Sequence, residues 1–327
     1  MGKLRIAIIG CRNMGQRHLK TLRESFANTV EVVGILNSSP ESTAQRAAEL
    51  NVPYFINIDE ISKDKVNAAI VSTPGSTHAQ IGEKLLLRGI PCLIEKPMAT
   101  TLADCEKLIA AAKSGKTFIV AGHVENYNPA VIRLKEELKA PVVSINGIRT
   151  SRNATNKTGI SAVQELMIHD LAIVYSFLGN EIKTSAIHKR PDLSWENHAV
   201  VDLEYKNGAT VKLEALREDR EVERYMDIKD AQGNIFHIDF MGCRLLKNSK
   251  ILTEGGHSLK NELADFIDCV KTGKAPSVGA GEATDIVKLC LNLESECINH
   301  YGRCLKSKRH EQELSLQNTN TIGKDGR

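Results

Sequence analysis

Arg5-Ile6-Ala7-Ile8-Ile9-Gly10-Cys11-Arg12-Asn13-Met14-Gly15 decides how the rest of this chain is read. The apolar run Arg5–Ile9 reads as a buried strand, and the residues after Gly15 take up a helical period. The glycines between them occupy the place of the dinucleotide fingerprint G-x-G-x-x-G. In that fingerprint the first glycine makes the tight turn and the second lets a pyrophosphate approach. The helix N-terminus then offers its free N–H groups to the phosphates. Gly10 and Gly15 supply the first and third glycines, and Arg12 replaces the second. A plain strand-to-helix turn is the alternative. The placement, strand before and helix after, favours nucleotide binding by Gly10, Arg12, Asn13, Met14 and Gly15.

Outward from this turn the first 121 residues alternate strand and helix patterns. Strands are expected at Arg5–Ile9, Val30–Leu36, Ala68–Ser72, Pro91–Ile94 and Thr117–Ala121. Helices are expected at His18–Phe26, Pro40–Leu50, Ala79–Arg88 and Leu102–Lys113. Such alternation predicts a parallel sheet with helices on both faces. An acid usually grips the ribose 2′-hydroxyl at the end of the second strand. Here the sequence is Leu36-Asn37-Ser38-Ser39, with no acid. Arg12 with Ser38 and Ser39 suits a 2′-phosphate, since guanidinium matches phosphate in shape and charge. This favours NADP, or mixed use, over strict NAD. The alternative has Asn37 on an NAD ribose and Arg12 in solvent. Ser72-Thr73-Pro74 is a stiff turn beside the cofactor, with His78 on the following helix. A histidine hydrogen-bonded within its own turn is the favoured reading of His78.

After residue 121 the pattern changes. A helix from Pro129 to Leu138 and a strand from Val142 to Arg149 precede a polar loop, Ser151–Gly159. Ser161–Leu178 reads as one long apolar-rich helix. Glu181–Lys250 reads as successive strands, mostly antiparallel, with turns at Asn207-Gly208 and Gln232-Gly233-Asn234. Helices at Leu259–Thr272 and Glu282–His300 close the fold, and the polar tail after residue 302 is expected to be disordered. The expected architecture is α/β: a Rossmann domain over 1–121, a substrate and oligomerisation domain over 122–302, and a tail over 303–327.

A chain of 327 residues is too long for one ordinary core. Its 42% hydrophobic and 25% charged content is that of a globular protein, and a net charge of +3 gives no electrostatic case for nucleic acid or anionic membrane. No export signal or membrane-length apolar run is visible, which predicts a cytoplasmic protein. The eight cysteines have no CxxC spacing. Cys290, Cys297 and Cys304 recur every seven residues and read as helix packing. No metal site is expected.

Two further stretches carry chemistry. Glu95-Lys96-Pro97 follows a short buried strand, and ligands bind beyond the carboxyl ends of strands in such sheets. Proline after Lys96 keeps the lysine on a stiff turn. Lys96 there can hold a substrate oxygen or carry a proton. A solvated loop lysine is the alternative. In Glu165-Leu166-Met167-Ile168-His169-Asp170, Glu165 and His169 stand four apart on one helix face. A carboxylate beside an imidazole suits general acid–base work, although most Glu–His pairs at this spacing are surface contacts.

The order and spacing of Gly10–Gly15, Ser72-Thr73-Pro74, Glu95-Lys96-Pro97 and Ile168-His169 resemble the Gfo/Idh/MocA oxidoreductases over residues 4–300. Within that family, Gly122-His123-Val124-Glu125-Asn126-Tyr127-Asn128-Pro129-Ala130 looks most like the UDP-N-acetylglucosamine 3-dehydrogenase branch. Glu165 stands where aspartate is usual, Met167 where glycine is frequent, and Asn126 where arginine is common. The resemblance implies an open antiparallel sheet in the second domain and an active site between the domains. It implies hydride transfer between NAD or NADP and a secondary hydroxyl of a sugar or nucleotide sugar. His169 would be the base, Glu165 its partner, and Lys96 the group that binds the oxygen, with His169 and Lys96 able to exchange roles. Glu95 would border the cofactor, and Tyr127, Asn128 and Arg149 the sugar. A basic rim of Arg149, Arg152 and Lys157 would suit a diphosphate. A homodimer or homotetramer is implied as well. Rival readings are an inositol or polyol dehydrogenase, and a cofactor-binding regulator without turnover.

Overall fold

The structure, a computed structural model, describes residues 2–152, 160–190 and 193–299. Most of the expected polar loop before Gly159, Lys157 and the expected tail lie outside the described residues.

The first sheet is built from runs of Ile, Val, Ala and Leu short enough to cross one core. Its strands are β1 (Leu4–Ile9), β2 (Val30–Leu36), β3 (Ala68–Val71), β4 (Cys92–Glu95) and β5 (Ile119–Gly122). They are all parallel in the order β2-β1-β3-β4-β5. Strands covered on both faces read as continuous apolar runs. β3, β4 and β5 are accordingly buried at every position. Four helices cross over between them: α1 (Asn13–Phe26), α2 (Pro40–Leu50), α3 (Gly75–Leu87) and α4 (Leu102–Ser114). Local chemistry sets their ends. Ser39 caps α2 ahead of Pro40, and Thr101 caps α4.

The second sheet has eight strands in the order β13-β12-β11-β10-β6-β9-β8-β7. They are β6 (Val142–Ser151), β7 (Ile182–His188), β8 (His198–Tyr205), β9 (Thr210–Arg217), β10 (Arg224–Asp230), β11 (Ile235–Asp239), β12 (Arg244–Lys247) and β13 (Lys250–Thr253). Among the described strands of this sheet only β6 with β9 is a parallel pair. One face buries Ile145, Val201, Val211, Leu213, Met226, Ile228 and Phe236 against α5 (Pro129–Glu137) and α6 (Ile168–Leu178). Alternate positions such as Lys212 and Asp227 stay accessible, the pattern of a sheet with one open face.

Two features depart from expectation. The segment before α6 is not one continuous α-helix, because Val163–Met167 forms a π-helical turn. The closing helices also return to the first domain. Leu259, Leu263, Phe266 and Ile267 of α7 (Ser258–Thr272) share a core with Ile8, Leu19 and Leu22, and Val278, Ala283 and Val287 join the core on the opposite face. The last of these lie on or beside α8 (280–299). Part of the chain beyond residue 121 therefore belongs to the first packing unit. No helix among the described residues is long and apolar enough to cross a membrane.

Candidate active site

Two cavities lie along the carboxyl edge of the first sheet, and Met14 lines both. The first has a volume of about 700 Å³ and is bordered by Gly10, Arg12, Asn13, Asn37, Ser38, Ser39, Ser72, Thr73 and Pro74. Backbone makes this one. Gly10 has φ of 89°, and a Cβ on it would stand 2.6 Å from the Thr73 nitrogen. A Cβ on Gly15 would stand 2.1 Å from the Gly10 carbonyl oxygen. Neither position admits another residue without movement. The first turn of α1, beside the cavity, has no side-chain cap among the described residues, which leaves its first N–H groups without an intrahelical partner. The Ser72 hydroxyl donates to the Gly10 carbonyl at 2.7 Å and ties β3 to the turn. Asn37 does not point outward as a ribose ligand. Its Oδ1 accepts the Cys11 N–H at 2.8 Å, so the residue stabilises the turn from behind. Arg12 is exposed on the cavity rim. The cradle, the free helix end and the absent Cβ atoms fit a dinucleotide.

The second cavity, about 770 Å³, is walled by side chains from distant elements: Arg17 and Lys20 of α1, Glu95 at the end of β4 and Lys96 after it, Arg149 of β6, His169 of α6, and Lys260 of α7. Lys96 donates from Nζ to the Glu165 carbonyl at 2.8 Å. Burial lowers the Lys96 pKa, with Glu95 and Glu165 opposing it. His169 is pushed well below the ordinary histidine range, first by burial and then by Lys96 and Arg149. It is a neutral base at neutral pH, and its buried Nδ1 has no partner among the described residues. Lys96 and His169 thus line the same cavity.

Other expectations are corrected. Glu165 does not partner His169. The π turn breaks the i, i+4 alignment, and the Glu165 carboxylate pairs with Arg217 instead. Asp170 meets Arg149, whose Nε lies 3.0 Å from each Asp170 oxygen and whose Nη2 lies 2.8 Å from Oδ1. Arg149 Nη1 also reaches Glu125 at 3.1 Å, and Phe240 lies under the guanidinium. Arg149 lines the cavity as a clamped cation, not as a free anion ligand. Tyr127 is buried with its hydroxyl on Asp265 at 2.9 Å. Asn128 caps α5 by accepting the Ala130 N–H. Neither lines the second cavity. His78 has Nδ1 2.8 Å from the Pro97 carbonyl and Nε2 2.7 Å from that of Thr73. It ties two turns together and leaves no nitrogen for catalysis. Arg152 is exposed and does not line the cavity either.

Several cavity residues were not anticipated. Arg17, Thr21 and Glu24 follow Met14 at helical spacing, a signal that could have found them. Arg224, Phe240 and Cys243 come from strand ends and turns of the second sheet and carry no local pattern. His123, just after β5, is 1% exposed with neither ring nitrogen partnered among the described residues. Burial, then Lys96, pushes its pKa down to about 4.

Residues 4–123 match the Gfo/Idh/MocA family, described as an oxidoreductase family with an NAD-binding Rossmann fold. The chain is similar to the Gfo/Idh/MocA oxidoreductases over this first domain. It is 26% identical to the UDP-N-acetylglucosamine 3-dehydrogenase of Acidithiobacillus ferrooxidans over 287 residues, 82% of this chain and 88% of that protein. It is 26% identical to inositol 2-dehydrogenase 1 of Saccharopolyspora erythraea over 64% of this chain and 66% of that one. A solved structure of the A. ferrooxidans enzyme superposes with a TM-score of 0.83 at 23% identity, covering 90% of this chain and 98% of that chain. GenD2 from gentamicin A biosynthesis, solved in complex with NAD, gives a TM-score of 0.77 at 18% identity over 92% of this chain and 95% of its own. The cofactor that this match supports is NAD or NADP.

Proposed function

We propose that the protein oxidises, reversibly, a secondary hydroxyl of a nucleotide sugar at its 3-position. The observation that carries this is the convergence of Lys96 and His169 on one cavity wall that begins where the nucleotide cavity ends, at Met14. Gly10, Gly15 and the opening of α1 would hold the dinucleotide, which supplies the hydride acceptor or donor when bound. Lys96, a donor on a stiff turn, binds and polarises the reacting oxygen. His169, held neutral, takes the hydroxyl proton. The two groups leave the ketone oxygen bound to a cation while the proton moves to the imidazole.

A nucleotide sugar is favoured over a free polyol by the shape and charge of the cavity. It runs along α1 from Met14 to Ser25, eleven residues or about 16 Å at 1.5 Å each. Arg17 and Lys260, which have no carboxylate partner among the described residues, and Lys20 stand along that length. Free inositol needs neither the length nor the cations. A panel of UDP-sugars, aldoses and inositols assayed by reduced-cofactor absorbance tests the reading. Turnover of inositols alone would favour the polyol enzyme, and cofactor binding with no turnover on any of these would favour a silent regulator.

NADP preference is part of this proposal. The cofactor cavity has Arg12, Ser38 and Lys84 on its lining and no acid at the end of β2. Arg12→Gly is expected to weaken NADP binding about tenfold, roughly one charge-assisted contact, and to leave NAD binding nearly unchanged. Equal losses for both cofactors would refute the 2′-phosphate assignment. A cytoplasmic homodimer or homotetramer, joined through the open face of the eight-stranded sheet, completes the reading. Light scattering that returned a monomer mass would remove that last element.

A further inference from the structure

Behind the Lys96 turn lies a cluster that hydride transfer does not use. It brings together His18 of α1, Glu95 of β4 and Glu262 of α7, at 0%, 7% and 0% exposure. His18 Nε2 and Glu95 Oε1 are 2.8 Å apart, and the Lys96 N–H donates to Glu95 Oε2 at 3.3 Å. One side-chain ligand atom from each of the three residues lies within 4.8 Å of the other two. Glu262 differs from its neighbour, because neither of its oxygens has a hydrogen-bond partner among the described residues.

An ionised carboxylate in that position would lack both solvent and donor. The groups facing the cluster do not supply the missing charge. Glu95 and Asp265 repel an anion on Glu262, and only Arg17 attracts it. His18, Lys96 and His78 all favour the anion on Glu95 instead. Two buried acids this close do not both ionise, and the surroundings decide which one does.

We propose that Glu262 is a proton-bearing acid that leaves Glu95 as the one charged carboxylate of this buried cluster, behind Lys96. Glu262 is a positioning residue. It acts through Glu95, and the charge it withholds sets how readily Lys96 carries its proton. Burial first, and Glu95 next, hold Glu262 well above the ordinary glutamate range. Above the usual glutamate range the unfolded chain has released this proton and the folded chain has not, so stability falls as pH rises from there towards the raised folded value.

Infrared spectroscopy of the full chain is the first test. A protonated-carboxyl band at neutral pH that disappears in Glu262→Gln is expected. Urea unfolding from mildly acid to alkaline pH is the second, and the Gln variant is expected to lack part of the wild-type decline. These two measurements need no substrate, so they stand even should the sugar reading fail. The third is kinetic and rests on Lys96 acting in the proposed reaction. Glu262→Gln is expected to leave the pH limb assigned to Lys96 in place. Glu95→Gln is expected to move it down by roughly one unit, by removing a neighbouring negative charge. A missing band, an unchanged stability slope, or a Glu262→Gln variant that moved the limb as Glu95→Gln does would overturn the proposal. So would a stoichiometric divalent metal in the purified protein that the Gln variant loses.

Discussion

The two cavities meet at Met14 but are made of different material. The nucleotide cavity is backbone: two glycines without room for a Cβ, an uncapped helix end, and a carbonyl held by Ser72. Its shape comes from a few residues adjacent in sequence. The chemical cavity is side chain, drawn from α1, β4, β6, α6 and α7, and its properties come from burial and mutual charge. A backbone cradle is specified by what is absent from the sequence at fixed spacing. A side-chain site is specified only when the whole chain is assembled.

Substitutions should therefore fail in different ways on the two sides. Lys96→Ala should cost the largest factor, on the order of 10³ in kcat, with cofactor affinity within a few-fold of wild type. Fluorescence titration with reduced cofactor and steady-state kinetics separate the two quantities. Turnover left intact would remove Lys96 from the mechanism. His123→Gln tests the electrostatics of the side-chain site through stability. His123 is a base whose folded pKa is depressed to about 4, so the unfolded chain binds its proton first as pH falls. Its stability contribution is complete above the ordinary histidine range and lost as pH falls from about 6.5 to about 4, amounting to about 3 kcal/mol. The Gln variant should lose that share of acid sensitivity, while His169 retains its own. On the backbone side, Gly15→Ala would place its Cβ 2.1 Å from the Gly10 oxygen, so the turn must open. We expect about 2 kcal/mol of lost stability and a cofactor affinity at least tenfold weaker. Unchanged cofactor binding in a folded Gly15→Ala would show that the cradle does not touch the cofactor.

The same division explains what could be read from sequence. β1, β2, α2 and α4 lie within a residue or so of where periodicity and caps place them, because short apolar runs and the Ser39 and Thr101 caps are local signals. Gly10 and Gly15 were legible for the same reason, and Lys96 because a strand end before a proline is a local feature. The helix expected over Ser161–Leu178 was misread where it mattered. The spacing of Glu165 and His169 assumes an α-helical repeat, and the π turn at Val163–Met167 is invisible to periodicity. Arg217, which takes the Glu165 carboxylate, lies 52 residues further on in another sheet strand. Tyr127 and Asn128 were placed at the substrate because of their motif, yet Asp265 and the N-terminus of α5 claim them. Long-range partners, not residue type, decide between cavity lining and core.

The smallest expected effect bears on that correction. Glu165 offers its backbone carbonyl to Lys96 and its carboxylate to Arg217, and only the second depends on side-chain charge. Glu165→Gln keeps the main-chain acceptor and the side-chain length. Were the carboxylate the partner of His169, its loss would lower the pKa of the imidazole and move the acid limb of the kcat profile to lower pH. With the carboxylate on Arg217 instead, kcat should fall less than tenfold and the acid limb should stay where it is, while the Arg217 contact weakens. Glu165→Ala should add a modest stability loss, about 1 kcal/mol or more, because among the described residues the buried guanidinium is left with only the Glu196 and Ser161 carbonyls. A displaced acid limb in the Gln variant would restore the acid–histidine pair that residue spacing suggests. An unmoved limb with a less stable Ala variant would assign Glu165 to tying the Lys96 turn to β9.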